Sequence, residues 1–302
     1  MGDQVFIDVL AESMVVLEGD APTRRPLEQR RASQQCASLF FPGCSALNFA
    51  APLMQKVYDR LFTLGAVDGI SLLCCGKILD FEPDAATVRP AFERRLVQSV
   101  AEHGVGRIVA MCPNCVETLR EILAKDPTTQ AVAVVGLPQV FVEEGLHIDP
   151  QALEQRWPHA AHVAVHDSCP DRKKGEFAAA LRALFPAEVL VEMAHNRENS
   201  LCCGSLARAA GNEHAADAAA RKHGEEAHAA GAQVVVTSCM SCAYQLAHAQ
   251  SDAAVCHYLE LLFNEEIDWA QLPTYMKTRF LFEELHGARD YHGAAAACEC
   301  GA

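Results

Sequence analysis

Short runs of aliphatic and β-branched residues recur along the chain, each closed by a polar or turn-forming segment. They fall at residues 38–41, 70–73 and 107–111, and again at 162–165, 189–193 and 233–237. Runs this short, apolar throughout and without polar alternation, read as strands buried on both faces, the habit of parallel sheets. Between them apolar positions return at helical spacing. Leu53, Val57, Leu61 and Leu64 share one face, as do Phe92, Leu96 and Val100, and Phe177, Leu181 and Leu184 are matched to that second helix in the later half. Residues 212–230 are alanine-rich and helix-prone. Strands alternating with helices predict an α/β fold of two pseudo-repeat halves, each with a small parallel sheet flanked by helices. In such sheets ligands bind at loops leaving the C-terminal strand ends.

Four segments follow: an N-terminal extension at 1–35, a first repeat at 36–150, a second at 151–264, and a C-terminal helix and tail at 265–302. Residues 22–31 are charged and contain proline, so a mobile stretch is expected there, and residues 275–284 have helical character. The longest apolar runs, 131–137 and 233–237, are far short of a membrane span, so an integral membrane protein is not expected. Residues 1–20 are acidic rather than basic and lack a cleavage site, which argues against a secretory signal and for the cytoplasm. With 39 acids against 25 bases, the net charge of -14 disfavours nucleic acid or an anionic membrane surface as principal partner.

Fourteen cysteines change the picture. In a large chain expected in a reducing compartment they point to metal or redox chemistry rather than disulfides. Ten form one frame written twice: Cys44, Cys74, Cys75, Cys112 and Cys115, then Cys169, Cys202, Cys203, Cys239 and Cys242. Matching members are offset by 125, 128, 128, 127 and 127 residues, and the flanking Leu-Cys-Cys-Gly recurs at 73–76 and 201–204. So regular an offset marks an internal duplication. A Cys-x-x-Cys turn places two sulfurs on one centre, but zinc and iron sites share it. The count says more. A structural zinc and a cubane [4Fe–4S] cluster each take four ligands, so either one cysteine is idle in each half or the cofactor is larger or less regular than a cubane.

With Phe41-Pro42-Gly43-Cys44, Cys74-Cys75-Gly76 and Cys112-Pro113-Asn114-Cys115, the sequence resembles the cysteine-rich "CCG" domain. Two copies, over residues 40–263, resemble the CCG-bearing subunit of heterodisulfide reductase and its relatives. That resemblance implies two noncubane [4Fe–4S] clusters, the first held by Cys44, Cys74, Cys75, Cys112 and Cys115, the second by Cys169, Cys202, Cys203, Cys239 and Cys242, flanking a disulfide that is split by one-electron steps. Zinc in one half is the alternative. The 29-residue interval after Cys44, against 32 after Cys169, departs slightly from the family pattern and reads as a trimmed loop.

Other residues carry two readings each. Cys36 and Cys256 read as small buried residues, and Cys298 and Cys300 as solvated thiols or adventitious metal ligands. His166 is either structural or a hydrogen-bond donor to a cluster sulfur or leaving thiolate, while His214, His223 and His228 read as solvated surface. Arg172, Lys173, Lys174 and Lys77 either draw an acidic substrate or partner or are plain solvated charges. Gly43, Gly76 and Gly204 read as tight turns that let backbone N–H groups approach sulfur.

No ferredoxin-type cysteine run and no flavin fingerprint is present. The expected function is therefore that of a redox subunit reducing a disulfide or oxidising a dithiol, fed by a ferredoxin-like iron–sulfur subunit and beyond it a flavoprotein. The alternative is an electron-transfer subunit of a glycolate/lactate-type or quinone-linked dehydrogenase without its own substrate site. A zinc-stapled scaffold is the non-redox reading.

Overall fold

A computed structural model describes residues 36–81, 85–250 and 252–269. The extension at 1–35, most of the expected C-terminal segment, and Cys298 and Cys300 lie outside the described residues.

The expected strands form, with two additions. The first sheet holds β1 (Ser38–Phe41), β2 (Gly69–Ile70), β3 (Arg107–Ala110) and β4 (Ala133–Gly136) in the order β2-β1-β3-β4. The second holds β5 (Val163–His166), β6 (Leu190–Val191), β7 (Val234–Thr237) and β8 (Ala254–His257) in the order β6-β5-β7-β8. Every neighbouring pair is parallel. In both sheets the chain leaves its first strand for one edge and then returns across it to the other side. The crevice at the C-terminal ends of β1 and β3, and likewise of β5 and β7, is thus a topological switch point.

Helices cover both faces. In the first repeat they are α1 (Cys44–Phe49), α2 (Ala51–Thr63), α3 (Ala85–Glu102), α4 (Pro113–Leu123) and α5 (Leu137–Glu143), and α6 (Pro150–Arg156) leads into the second. The second adds α7 (Glu176–Ala183), α8 (Ser205–Ala209), α9 (Glu213–Ala229), α10 (Met240–Ala249) and α11 (Tyr258–Leu262). Proline stands in the first turn of α2, α4, α5 and α6, where its missing N–H costs no helical bond. One expected match is corrected: α7 joins the first strand of its sheet to the edge strand, so it corresponds to α2, and α9 corresponds to α3.

Alternation along each strand divides the core. Phe40, Val109, Val163 and Val236 face a core shared by the two sheets, completed by Leu137, Phe141, Tyr258 and Leu259. Leu39, Phe41, Ile108 and Ala110 face an outer core under α3 and α4. Ala164 and Val235 face the corresponding outer core under α9. The repeats also meet through Arg120 and Glu176 (2.8 Å), through stacked Phe49 and Tyr244 rings (centroids 5.6 Å apart), and through the Ser45 and Ser241 hydroxyls (3.1 Å). Gly136 is required at this seam, since a Cβ there would lie 2.7 Å from the Phe177 ring.

Candidate metal centres

Every cysteine of the frame lies beyond the C-terminal end of a strand. The strand ends Phe41 and Ala110 are in register, so the loops carrying Cys44 and Cys112 leave side by side at the switch point. Cys44 opens α1, and Cys112 is the N-cap of α4 with Cys115 in its first turn. Cys74 and Cys75 follow β2 and end at Gly76, whose φ of 82° turns the chain back. The second repeat repeats this placement. Cys169 opens a short 3-10 turn, Cys202 and Cys203 precede Gly204 (φ 99°), Cys239 is the N-cap of α10, and Cys242 lies in its first turn.

The ten thiols are free and electrostatically linked in one unbroken run, each affecting the ionisation of the next. In the first repeat it passes from Cys44 to Cys74, Cys75, Cys115 and Cys112. Cys112 is linked to Cys239 across the seam, and the run continues to Cys242, Cys203, Cys202 and Cys169. Cys44, Cys112, Cys169 and Cys202 are partly exposed, and the other six are buried.

Three of these groups favour the thiolate. Hydrogen bonds from Cys115 and Cys74 hold Cys75 down at about 5. Cys112 lies well below the ordinary thiol range because it accepts from Cys115, from Cys239 and from the backbone N–H groups of Cys115 and Asn114. Cys202, accepting from Cys169 and Cys203, falls to about 2. Their neighbours move the other way. Cys74 accepts from Cys44 yet is pushed up to about 12 by donating to Cys75 and by burial. Cys203, donating to Cys202, rises to about 11. Cys44, Cys115, Cys169, Cys239 and Cys242 are raised by neighbouring thiols and by burial. Left to itself, then, the run keeps thiolates apart with protonated thiols between them. A cationic group among the sulfurs would favour the thiolate form of all ten.

The backbone is shaped for sulfur. Gly76 and Gly204 N–H groups donate to Cys74 and Cys202 Sγ (3.4 Å each), and Ser205 N–H to Cys203 Sγ (3.5 Å). Cys112 and Cys239 stand at helix N-termini, where the dipole favours an anionic ligand. A Cβ on Gly43 would lie 2.8 Å from Cys115 Sγ. In the second repeat the loop is braced by a bidentate Arg182–Asp167 pair (2.8 and 2.9 Å) and by Asp171, which accepts from Ala178 N–H (2.8 Å).

The histidines divide. His214 and His228 are exposed as expected, but His223 is buried, with 1% of its surface exposed, because its face of α9 packs onto the sheet. It lies edge-on to His166, which is equally buried, with ring centroids 4.5 Å apart. A ring nitrogen of His166 and the sulfurs of Cys203 and Cys242 all lie within 4.8 Å of one another. Cys36 and Cys256 are buried apart from the run, Cys36 donating to the Ser38 carbonyl (3.3 Å). Lys77 pairs with Asp80 (3.0 Å), which leaves it as a local structural charge.

The sequence model of the cysteine-rich domain, CCG, matches residues 38–120 and again residues 163–247, together more than half of the chain. The chain belongs to the cysteine-rich domain family. Its two CCG repeats are the two sheet-centred halves described above, and the resemblance to the CCG-bearing subunit of heterodisulfide reductase belongs to that family context. Membership points to an iron–sulfur redox role. Comparison with curated proteins gives no match. Among solved structures the chain is similar to a glutamate racemase from Bacillus anthracis, at 9% identity over 81% of this chain and 82% of that one, TM-score 0.35. It is also similar to a glutamate racemase from Francisella tularensis bound to D-glutamate, at 12% identity over 83% and 82%, TM-score 0.33. Scores this low carry nothing about function.

The donor set of the CCG repeats fits an iron–sulfur group: sulfur ligands gathered from three loops in each repeat, with backbone N–H donors aimed at them. Among the described residues no helix is long and apolar enough to cross a membrane. What the sequence did not disclose is the His166–His223 pair and the Asp167–Arg182 brace. The one signal for the brace was an acid two residues before Cys169.

Proposed function

We propose that this chain is the iron–sulfur redox subunit of a heterodisulfide reductase-like complex, reducing a disulfide or oxidising a dithiol at two noncubane [4Fe–4S] clusters. The observation that carries this reading is the gathering of five thiols at each switch-point crevice, the two crevices meeting at the seam where Ser45 and Ser241, beside Cys44 and Cys242, lie 3.1 Å apart. Cys44, Cys74, Cys75, Cys112 and Cys115 would hold one cluster, and Cys169, Cys202, Cys203, Cys239 and Cys242 the other. When bound, the clusters supply single electrons beside a disulfide sulfur. Splitting one disulfide consumes two electrons and two protons and yields two thiols, so two adjacent one-electron centres match the count.

The residues around the thiols have separable tasks. Buried Phe41, Leu73 and Met111 keep water from the first set, and Met193 from the second. The partly exposed positions, Cys44, Cys112, Cys169 and Cys202, mark where a substrate sulfur approaches. Helix N-termini at Cys112 and Cys239 favour anionic sulfur at the seam. With no ferredoxin-type run in the sequence, electrons come from a ferredoxin-like iron–sulfur subunit and beyond it a flavoprotein.

The test is to purify the chain without air, assay iron, sulfide and zinc, and record its paramagnetic spectrum with and without thiol or disulfide. About eight irons per chain, with a spectrum that changes on adding thiol, is expected. The same iron content with a spectrum indifferent to thiol would replace this reading with that of an electron-transfer subunit. Zinc without sulfide would end both.

A further inference from the structure

Duplication makes the two repeats internal controls for one another, and among the buried positions where they differ around the thiols, two carry imidazoles in the second repeat alone. Residues 41–44 of the first repeat correspond to residues 166–169 of the second, so Phe41 at the end of β1 answers His166 at the end of β5. With the 127-residue offset of the Cys-x-x-Cys pairs, Leu96 on α3 answers His223 on α9. All four side chains are buried. The first site thus has an apolar roof where the second has two imidazoles.

Those imidazoles are incompletely satisfied by the protein. His223 Nε2 faces the Cys202 carbonyl (3.3 Å) and so carries the proton, which leaves its buried Nδ1 without a partner. His166 has no protein partner at either ring nitrogen. Burying an unpaired donor is unfavourable, and native structures rarely leave one without a partner or a role. Rotation of the His166 ring is restricted by the edge-on His223, itself fixed through the Cys202 carbonyl, and one ring nitrogen is held toward the sulfurs of Cys203 and Cys242.

We infer that His166 donates its ring N–H to a sulfur of the second centre and thereby makes the two centres inequivalent, the second being the easier to reduce. The inference rests on the reading of the ten thiols as cluster ligands. Five thiols already complete the second frame, so the imidazole adds a donor to sulfur rather than a ligand to iron. An N–H donor stabilises the more negatively charged, reduced state of a cluster and raises its potential. Phe41 gives the first centre no such donor. Electrons entering the chain would then settle on the second centre before the first.

The experiment is a redox titration of the anaerobically purified, iron-loaded full chain, followed by its paramagnetic signals. The second centre is identified as the signal lost in Cys203→Ser. His166→Phe is expected to lower the potential of that signal toward that of the first, with iron and sulfide content unchanged and the first centre unmoved. His166→Gln, which keeps an N–H donor, is expected to restore part of the difference. An iron-replete His166→Phe chain with both potentials unchanged would overturn the inference while leaving the cluster reading intact. A wild-type chain without iron and sulfide would instead overturn the cluster reading. Should His166→Phe not fold, wild-type protein carrying ¹⁵N-histidine gives the answer by pulsed paramagnetic resonance. A weak nitrogen coupling on the second centre supports the hydrogen bond. A strong coupling, meaning direct ligation, or none at all, sinks it.

Discussion

Gly43 shows how closely single residues are fitted to the thiols. Its φ is 79°, and an added Cβ would press against Cys115 Sγ at 2.8 Å. Gly43→Ala therefore combines the strain of a backbone (φ 79°, ψ 162°) that essentially only glycine adopts, about 1–3 kcal/mol, with displacement of a sulfur assigned to the proposed first cluster. On the two-cluster proposal we expect iron content to fall by about half, as one of the two four-iron clusters is lost. Gly145→Ala makes a control, for Gly145 has a similar φ of 71° but nothing within 4 Å of the added methyl. It should lose stability through its positive φ but no iron, as measured by denaturation and metal assay. If both variants keep full iron, the close approach at Gly43 is incidental. The ten cysteines were legible beforehand because duplication repeats their spacing, which needs no knowledge of the fold. His223 was not. On an alanine-rich helix hydrophobicity does not mark the inner face, and only packing against β5 reveals that this imidazole is buried.

At the scale of elements, the end of β8 and the start of α11 form one polar unit within an apolar core. His257 caps α11, its Nδ1 accepting from Leu259 N–H (3.4 Å), and Glu260 accepts from His257 N–H (2.7 Å), Arg156 (2.8 Å) and the Trp269 indole (3.2 Å). Burial holds His257 down at about 4, against about 6.5 for a free imidazole. Above pH 6.5 both folded and unfolded chains have it neutral, and no penalty arises. As pH falls from 6.5 toward 4 only the unfolded chain takes up the proton, so stability is lost through that window, by on the order of 3 kcal/mol in all. Burial raises the Glu260 carboxyl, which acts in the opposite sense at the acid end, so the comparison must be between variants. In metal-free protein, His257→Phe should be less stable at pH 7.5 through the lost cap, by about 1 kcal/mol, yet should lose less on acidification. Urea denaturation midpoints at pH 7.5 and 5 check this, and an unchanged pH dependence would refute it. The six strands leading to thiols could be read from their apolar runs. β4 and β8 escaped notice because they close the sheets without carrying a frame cysteine, and the pairing of α7 with α2 depends on strand order, which no local pattern records.

For the whole molecule, the strand order and the shared core set what the halves can do apart. Neither was visible in the sequence, because both depend on which apolar face meets which across more than a hundred residues. Phe40 and Val109 from one sheet, Val163 and Val236 from the other, and Tyr258 from α11 fill one common layer, each large side chain contributing roughly 1.5–3 kcal/mol on burial. Divided at residue 150, each half would expose that layer, an apolar face larger than soluble monomers tolerate. The division would also separate Cys112 from Cys239, the contact through which the two centres become neighbours. Expressed alone, neither half should unfold cooperatively or retain iron. Produced together from two genes, the halves should associate through the shared layer and recover both centres. Two clusters as proposed, held by ligands on either side of one seam, would interact magnetically, so the reduced, reassembled protein should show the same spin–spin broadening as the intact chain. Cys239→Ser, by removing a ligand at the contact, should leave only the narrow signal of an isolated first centre. Two independently soluble, iron-loaded halves with unbroadened spectra would mean that each repeat is self-sufficient, and that the seam only holds together two separate proteins.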